Sequence, residues 1–291
     1  MIEFHMPTLQ DRAWAAPLLR RFGDDASEAA FGTYYIWQKR FDFQIAHHKG
    51  FFVARSNGGY IFPAGEGNLD EVLCDLTEDA HKRGETVRFL FSERFRAILE
   101  QFCPNCYEIT ENRANSDYLY RVTDLASLSG KKYHAKRNHI ARFLRNYDYT
   151  FETVTTDAQA EECIRLAEQW GNTAENEADF SDELDAIRRA FSARTQLYLT
   201  AGLLRVEGRV IAFAAGEPIN DRVFDQHFEK ALVEFDGAYA MINREFMRNC
   251  LMDYELVNRE EDMGIEGLRK AKLSYLPERL VDKYTAQRLQ V

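Results

Sequence analysis

Residues 254–284 read YELVNREEDMGIEGLRKAKLSYLPERLVDKY and combine two patterns. Tyr254–Val257 alternates in the manner of a short strand, whereas the residues after it form a dense charged cluster interrupted by Gly264 and Gly267. Ile265 and Leu268 offer too little apolar surface to hold such a segment on their own. The stretch therefore predicts either a solvated, salt-bridged surface turn or a segment that carries a site.

Residues 131–147 predict an amphipathic helix with a basic inner edge. Apolar residues recur at helical spacing, namely Ile140, Phe143, Leu144 and Tyr147, with Tyr133 one heptad earlier. The same projection places Lys136 within the apolar stripe and Arg137 at its margin. No Asp or Glu occurs between residues 125 and 147, so these cations need anions from elsewhere.

Three alternative interactions remain open for the side chains of Lys136 and Arg137. They pair with the carboxylates of Glu260, Glu261 or Asp262, they extend outward into solvent, or they hold the phosphate or carboxylate of a ligand.

A predicted strand, Arg222–Lys230, carries titratable groups at alternate positions. Strict alternation places Asp225, His227 and Glu229 on one face, and the opposite face takes Phe224, Gln226, Phe228 and Lys230. A histidine between two carboxylates can serve general base chemistry. An exposed polar strand face explains the same pattern.

Three collinear stretches resemble one known family. They are Asn258–Pro277 with its pattern NRExDxG and GLRKxKxSYxP, Gly130–Ile140 with GKKYHxKRNHI, and Phe228–Tyr239 with FEKA and DGAY. Together they are similar to a bacterial group related to the C-terminal domain of phosphatidylglycerol lysyltransferases. The resemblance implies an α/β fold of two acetyltransferase-like (GNAT) domains in tandem, with mixed central sheets flanked by helices. It also implies kinship with the peptidyltransferases that load amino acids from tRNA onto cell-wall precursors.

The resemblance implies an acyltransferase or aminoacyltransferase that acts on an amine or hydroxyl acceptor. The candidate catalytic residues are Glu229, Asp262 and His227. The candidate substrate-binding residues are Lys136, Arg137, Lys230, Asn258, Arg269, Lys272 and Ser274. The donor is expected to be aminoacyl-tRNA or acyl-CoA, and no metal is expected. Two alternatives are a coenzyme-A-dependent N-acetyltransferase and a noncatalytic ligand-binding relative.

The loop Glu234–Tyr239 departs from the coenzyme A pattern. Coenzyme-A-dependent acetyltransferases place Arg or Gln, two residues, Gly, one residue and a small residue there, so that backbone N–H groups cradle a pyrophosphate. Only Gly237 fits this pattern, which makes it the candidate cofactor-binding residue. Glu234 does not fit, because it stands at the position of Arg or Gln. Asp236 is expected to cap the following helix and to place negative charge where pyrophosphate binds.

Length and a weak repeat predict two domains, 1–128 and 129–291, with the candidate site in the second. The strand–turn–strand of residues 51–62, with its Asn57-Gly58 turn, parallels residues 203–213. A helix is predicted from Leu69 to Arg83 with Asn68 as its cap, and a loop is predicted at Gly171–Ser181.

Composition narrows the partners and the compartment. A net charge of −10 argues against general polyanion binding, so any tRNA contact requires a local basic patch. No apolar run approaches the ~20 residues of a membrane span, and the N-terminus lacks signal-peptide regions. The chain is expected to be cytoplasmic, with five reduced cysteines and an incidental Cys103-x-x-Cys106 pair.

Overall fold

The computed structural model describes residues 2–57, 59–171 and 177–289. Its α-helices within these ranges are α1 (Arg12–Phe22), α2 (Phe31–Ile36), α3 (Gln38–Phe41), α4 (Leu69–Lys82), α5 (Glu93–Phe102), α6 (Val122–Ser127), α7 (His134–Asn146), α8 (Asp157–Gly171), α9 (Glu177–Ser192), α10 (Arg194–Leu197), α11 (Ala238–Cys250) and α12 (Glu266–Leu273). Its strands are β1 (Gln44–His48), β2 (Phe51–Ser56), β3 (Gly59–Gly65), β4 (Arg88–Ser92), β5 (Tyr107–Glu111), β6 (Asp117–Arg121), β7 (Tyr149–Thr153), β8 (Thr200–Val206), β9 (Arg209–Pro218), β10 (Val223–Ala231), β11 (Leu256–Asn258), β12 (Arg279–Val281) and β13 (Lys283–Arg288).

The chain forms two compact units. The first unit consists of Met1–Tyr118, Glu260–Lys270 and Arg279–Val291, and the second consists of Leu119–Arg259 and Ala271–Glu278. The division of the chain into two repeated domains at residue 128 stays a prediction. Within the described residues, no helix combines the length and the apolar character needed to cross a membrane.

The first unit is built on a mixed sheet with the strand order β1-β2-β3-β4-β13-β5. The pair β3–β4 is parallel, and its other pairs are antiparallel. The buried face of α4 packs Val72, Leu73 and Leu76 into the core of this sheet. As predicted, Asn68 caps α4, because its side chain accepts a hydrogen bond from the Glu71 N–H.

Six strands of the second unit follow the order β6-β11-β10-β9-β8-β7. The pair β10–β11 is parallel and its pairing ends at Asp225 and Asn258, whereas β10 continues to Ala231. A β-bulge interrupts the β9–β10 register between Asp225 and Phe228. Gly216 permits this bulge, because a Cβ there would lie 1.8 Å from the Asp225 carbonyl oxygen. The bulge determines which side chains of β10 meet the helices.

The predicted mixed sheets with flanking helices are confirmed, and so are both hairpins, β2–β3 and β8–β9. Three local predictions were wrong. Strands β5 and β13 were missed, because each is short and carries several exposed polar residues. Helix α9 already begins at Glu177, within the predicted loop Gly171–Ser181. Residues 172–176 of that loop and Gly58 of the predicted turn lie outside the described residues.

Two further expectations need correction. The side chains of Tyr133, Ile140 and Phe143 are buried as predicted, but Leu144 is 49% exposed and lies outside the apolar stripe. Cys103 and Cys106 form a disulfide with a Cα–Cα distance of 5.5 Å, so the expectation of five reduced thiols was wrong.

Candidate active site in the second unit

Glu229 lies near the carboxyl end of β10 and accepts three side-chain hydrogen bonds. Its Oε1 accepts from Arg259 Nη2 at 2.9 Å. Its Oε2 accepts from Asn243 Nδ2 of α11 at 3.0 Å and from Gln226 Nε2 at 2.9 Å. The Glu229 carboxylate therefore anchors a cluster of polar side chains, at the end of the sheet where open α/β folds bind ligands.

The predicted division of β10 into two faces was wrong, and the bulge explains why. Strict alternation separates Gln226 from Glu229, yet their side chains are hydrogen bonded. Phe224 packs against Phe246 of α11, and Glu229 also meets α11 through Asn243. One extra residue in a strand reverses the alternation of the side chains beyond it. Glu229 therefore lies on the same side of the strand as Gln226.

Arg259 directly follows β11 and is the buried cation of the cluster. Its side chain is 10% exposed, and its guanidinium lies 4.9 Å from the Tyr275 ring centroid and 5.5 Å from that of Tyr120. Only Nη2 bonds Glu229. The buried Nε and Nη1 have no hydrogen-bond partner in the described part of the chain. Two directed donors on a buried guanidinium are thus unsatisfied, which is costly without a ligand or water.

Lys136 of α7 places a second cation beside Arg259. Its Nζ lies 3.6 Å from the Tyr275 ring centroid, and it makes no ion pair with any residue that the structure describes. Burial and, next, the positive charge of Arg259 lower the pKa of Lys136 to about 8, although the attraction of Glu229 opposes them. Among the described residues of its own unit, Lys136 therefore has no carboxylate as an ion-pair partner. A cation–π contact holds it instead.

Two amide oxygens complete the set of unsatisfied groups. Asn243 and Gln226 use their amide nitrogens on Glu229, which leaves Asn243 Oδ1 and Gln226 Oε1 buried without a partner within the described ranges. The cluster therefore offers acceptors as well as donors. Such a set can bind a group that carries both a carbonyl or anionic oxygen and an amine.

His227 and Lys230 have partners other than Glu229. His227 is buried, with Nε2 3.3 Å from Glu217 Oε1 and Nδ1 3.5 Å from Asp225 Oδ2. Lys230 pairs with Glu183 of α9 at 2.8 Å, and its Nζ lies 3.7 Å from the centroid of a tryptophan ring in α8. His227 and Lys230 thus each have their own polar partners in the second unit, distinct from those of Glu229.

Asp262 and Arg269 lie in the first unit and pair with each other. Arg269 donates two hydrogen bonds of 2.8 Å to Asp262, and Tyr118 and the Gly264 N–H donate further ones. Burial alone would raise the pKa of Asp262, but these hydrogen bonds hold it well below its usual range. A fully buried carboxylate with this many donors is a weak base, so the contacts favour a structural role.

The other predicted ligand-binding residues contact the backbone or are enclosed. Arg137 Nη1 donates to the carbonyl oxygens of Leu128 and Gly130, both at 2.6 Å. Lys272 Nζ donates to the carbonyl oxygen of Arg259, and Ser274 Oγ to that of Ala271. Asn258 is fully buried in β11. Of this group, Lys272 contacts the cluster through the backbone of Arg259.

Gly237 is the N-cap of α11, where it has a φ of +89°. A Cβ there would lie 2.4 Å from the His139 carbonyl oxygen of α7, so close helix packing already accounts for the glycine. The expectation that Asp236 caps α11 was wrong. Asp236 instead pairs with Arg142 at 3.3 Å, and Glu234 pairs with Arg209 at 3.2 Å.

We expect coenzyme A to bind weakly or not at all at this helix start. Glu234 and Asp236 repel a pyrophosphate, and Gly237, the one residue of the loop that fits the coenzyme A pattern, is used in packing. Calorimetric titration with acetyl-CoA should show no saturable heat, and Asp236→Asn should gain some affinity. Tight, salt-sensitive binding by the unaltered protein would contradict this prediction.

Arg259, Asn243, Gln226 and Tyr275 were not among the predicted site residues. Arg259 follows the predicted ligand Asn258 and Tyr275 follows Ser274 inside the quoted motif, so the motif was a usable signal for both. Asn243 lies one turn beyond Tyr239 on α11, and only the fold brings it to Glu229. Gln226 is brought there by the bulge, which the sequence pattern does not show.

Comparison with known proteins identifies relatives of this chain. The family model described as "Phosphatidylglycerol lysyltransferase, C-terminal" matches residues 19–287. A protein of unknown function from Bacteroides thetaiotaomicron VPI-5482 has a crystal structure with 39% identity and a TM-score of 0.93, covering 99% of this chain and 100% of its own.

Two solved structures at lower identity share the fold. The C-terminal domain assigned to a lysylphosphatidylglycerol synthetase of Agrobacterium fabrum is 16% identical with a TM-score of 0.66, covering 97% of this chain and 92% of its own. L-PGS from Bacillus licheniformis is 16% identical with a TM-score of 0.67, covering 99% and 94%. The family resemblance predicted from the sequence is confirmed, and so is the α/β fold class with mixed sheets flanked by helices.

Proposed function

Because the chain belongs to the family of the phosphatidylglycerol lysyltransferase C-terminal domain, we propose that its second unit transfers an aminoacyl group to an amine or hydroxyl acceptor. The observation that carries this proposal is the set of unsatisfied buried atoms around Glu229. Arg259 supplies two free donors, and Asn243 and Gln226 each supply a free acceptor oxygen.

An aminoacyl ester matches this set of groups. Its carbonyl oxygen accepts hydrogen bonds and gains negative charge when a nucleophile attacks, so the free N–H groups of Arg259 would stabilise it. Its α-amino group donates hydrogen bonds, which the oxygens of Asn243 and Gln226 would accept. A simple acyl group lacks the amine and would leave both oxygens unsatisfied, so the site favours aminoacyl over acetyl donors.

Glu229 orients the cluster in this proposal. A carboxylate has about four lone-pair sites, and three hydrogen bonds to Glu229 are present. The remaining site can accept the proton of the attacking amine or hydroxyl. The new amide or ester bond then forms at the carbonyl carbon while the ester bond between that carbon and the donor's ribose oxygen breaks, and the ribose oxygen leaves with the proton that Glu229 accepted.

The donor is proposed to be aminoacyl-tRNA, as in the peptidyltransferases that the sequence resembles. The test is transfer of radiolabelled amino acids from total charged bacterial tRNA to a panel of small amines, sugars and lipid headgroups. We expect an RNase-resistant labelled product with at least one amino acid, and none when labelled acetyl-CoA replaces the tRNA. Transfer from acetyl-CoA alone would contradict the proposal.

The charge of Lys136 predicts a pH dependence for donor binding. Its pKa is lowered to about 8 by burial and by Arg259, so the ammonium prevails at pH 7 and is lost as the pH rises through 8. Affinity for tRNA carrying an amide-linked, hydrolysis-resistant amino acid should therefore fall across this range. Lys136→Arg, which stays charged, should abolish the fall. A decline of equal size in both proteins would show that Lys136 is not the group responsible.

A further inference from the structure

The first unit contains a cavity that the proposed transfer reaction does not use. Its volume is about 80 Å³, whereas a single water needs roughly 10–15 Å³ in a comparable measure. One wall is apolar and largely aromatic, with Leu19, Phe62, Phe91 and Phe95. The ring centroids of Phe62 and Phe95 are 4.9 Å apart in a stacked arrangement. This wall suits the alkyl or aryl body of a small molecule.

The other end of the cavity is polar and carries an excess of carboxylates. Lys283, 7% exposed, lies there, with Nζ 2.8 Å from both Glu28 and Asp117. Asp24 is, with Glu28, one of the two carboxylates in the lining itself. Burial raises the pKa of the Glu28 carboxyl, and the attraction of Lys283 offsets only part of that effect. The two lining carboxylates and Asp117 thus outnumber the one ammonium, and this end of the cavity attracts a further positive charge.

Two amide side chains mark the side on which the cavity approaches the surface. Asn112 is half-buried and Asn115 is exposed, and both line the cavity. The Asn112 N–H donates to the carbonyl oxygen of Lys283, which fixes this rim beside the polar end. A ligand entering here would meet hydrogen-bonding groups first and the aromatic wall behind them.

From this lining we propose that the first unit binds a small primary ammonium compound with an alkyl or aryl body. Its body packs against Leu19, Phe62 and Phe95, and its ammonium group lies toward Asp24 and Glu28. A carboxylate of the same size is disfavoured, because it would meet like charges at the polar end.

Three probes of one size test the proposal on the full chain at pH 7. These are 2-phenylethylammonium, the neutral 2-phenylethanol and the anionic phenylacetate, titrated by calorimetry or ligand-observed NMR. We expect the ammonium compound to bind at least tenfold more tightly than the alcohol, and phenylacetate to bind least. Equal affinity for the ammonium compound and the alcohol, or no binding of the ammonium compound, would overturn the proposal.

A cavity-filling variant locates the binding site. Ala64→Leu adds apolar volume to the cavity lining and should weaken binding of 2-phenylethylammonium at least tenfold. Ala141→Leu, at an exposed position on α7, is the matched control and should leave the affinity unchanged. Circular dichroism establishes that each variant is folded, and Ala29→Val replaces Ala64→Leu if the latter is not. Full affinity in a folded filling variant would refute the assignment.

Discussion

Replacing Arg259 by lysine is expected to lower kcat/KM for aminoacyl transfer by about 10²–10³-fold, the usual effect of removing an oxyanion-stabilising donor. Lysine keeps a positive charge beside Glu229, but it presents a point charge instead of a planar fork. The two free donors of Arg259 would lose their direction. Steady-state kinetics with charged tRNA measures the effect.

The matched control for this variant is Arg205→Lys. Arg205 also belongs to the second unit, and its fork binds Glu152 and Glu162. The same exchange there removes a guanidinium from an ion-paired site without touching the cluster around Glu229. We expect some loss of stability and an unchanged kcat/KM. If both variants lose activity equally, Arg259 has no special part in transfer.

Asp262→Ala is expected to lower the free energy of unfolding by about 3 kcal/mol, because it removes the anion of a buried ion pair. The change leaves Arg269, Tyr118 and the Gly264 N–H without their acceptor. Urea unfolding measures the loss. Glu78→Ala, which removes an exposed i,i+4 partner of Lys82 in the same unit, should cost far less, because exposed ion pairs contribute little to stability. Equal effects of the two substitutions would contradict a structural role for Asp262.

The contribution of Asp262 should also depend on pH in a defined direction. Its pKa is depressed in the folded protein, so its stabilisation is fully present above the unfolded value of about 4 and is lost as the pH falls toward the folded value. The difference in stability between wild type and Asp262→Ala should therefore shrink below about pH 4. A constant difference from pH 6 to pH 3 would argue against this assignment.

Sequence patterns predicted the architecture well where one rule dominates. Asn68 before an apolar-periodic run predicted the start of α4, and the alternating hairpins predicted β2–β3 and β8–β9. The motif around Asn258 indicated the segment that supplies Arg259. The periodicity of apolar residues depends only on their local spacing, and these helices and strands follow that periodicity.

The site was less predictable because tertiary geometry assembles it. A bulge at β10 brings Gln226 to Glu229, and packing of α11 brings Asn243 to the same carboxylate. Gly237 fits a cofactor-loop pattern, yet its nearest constraint is the backbone of α7. Contacts between distant segments carry no periodic signal. The sequence therefore indicated Glu229 as a candidate site residue but not the residues that contact it.

Binding of tRNA that carries an amide-linked amino acid, compared with uncharged tRNA, tests the central assignment most directly. If the free groups of Arg259, Asn243 and Gln226 recognise an aminoacyl moiety, charged tRNA should bind at least tenfold more tightly, equivalent to about 1.4 kcal/mol. This preference should disappear in Arg259→Lys. Equal affinity for charged and uncharged tRNA, or a preference that survives in Arg259→Lys, would contradict the assignment.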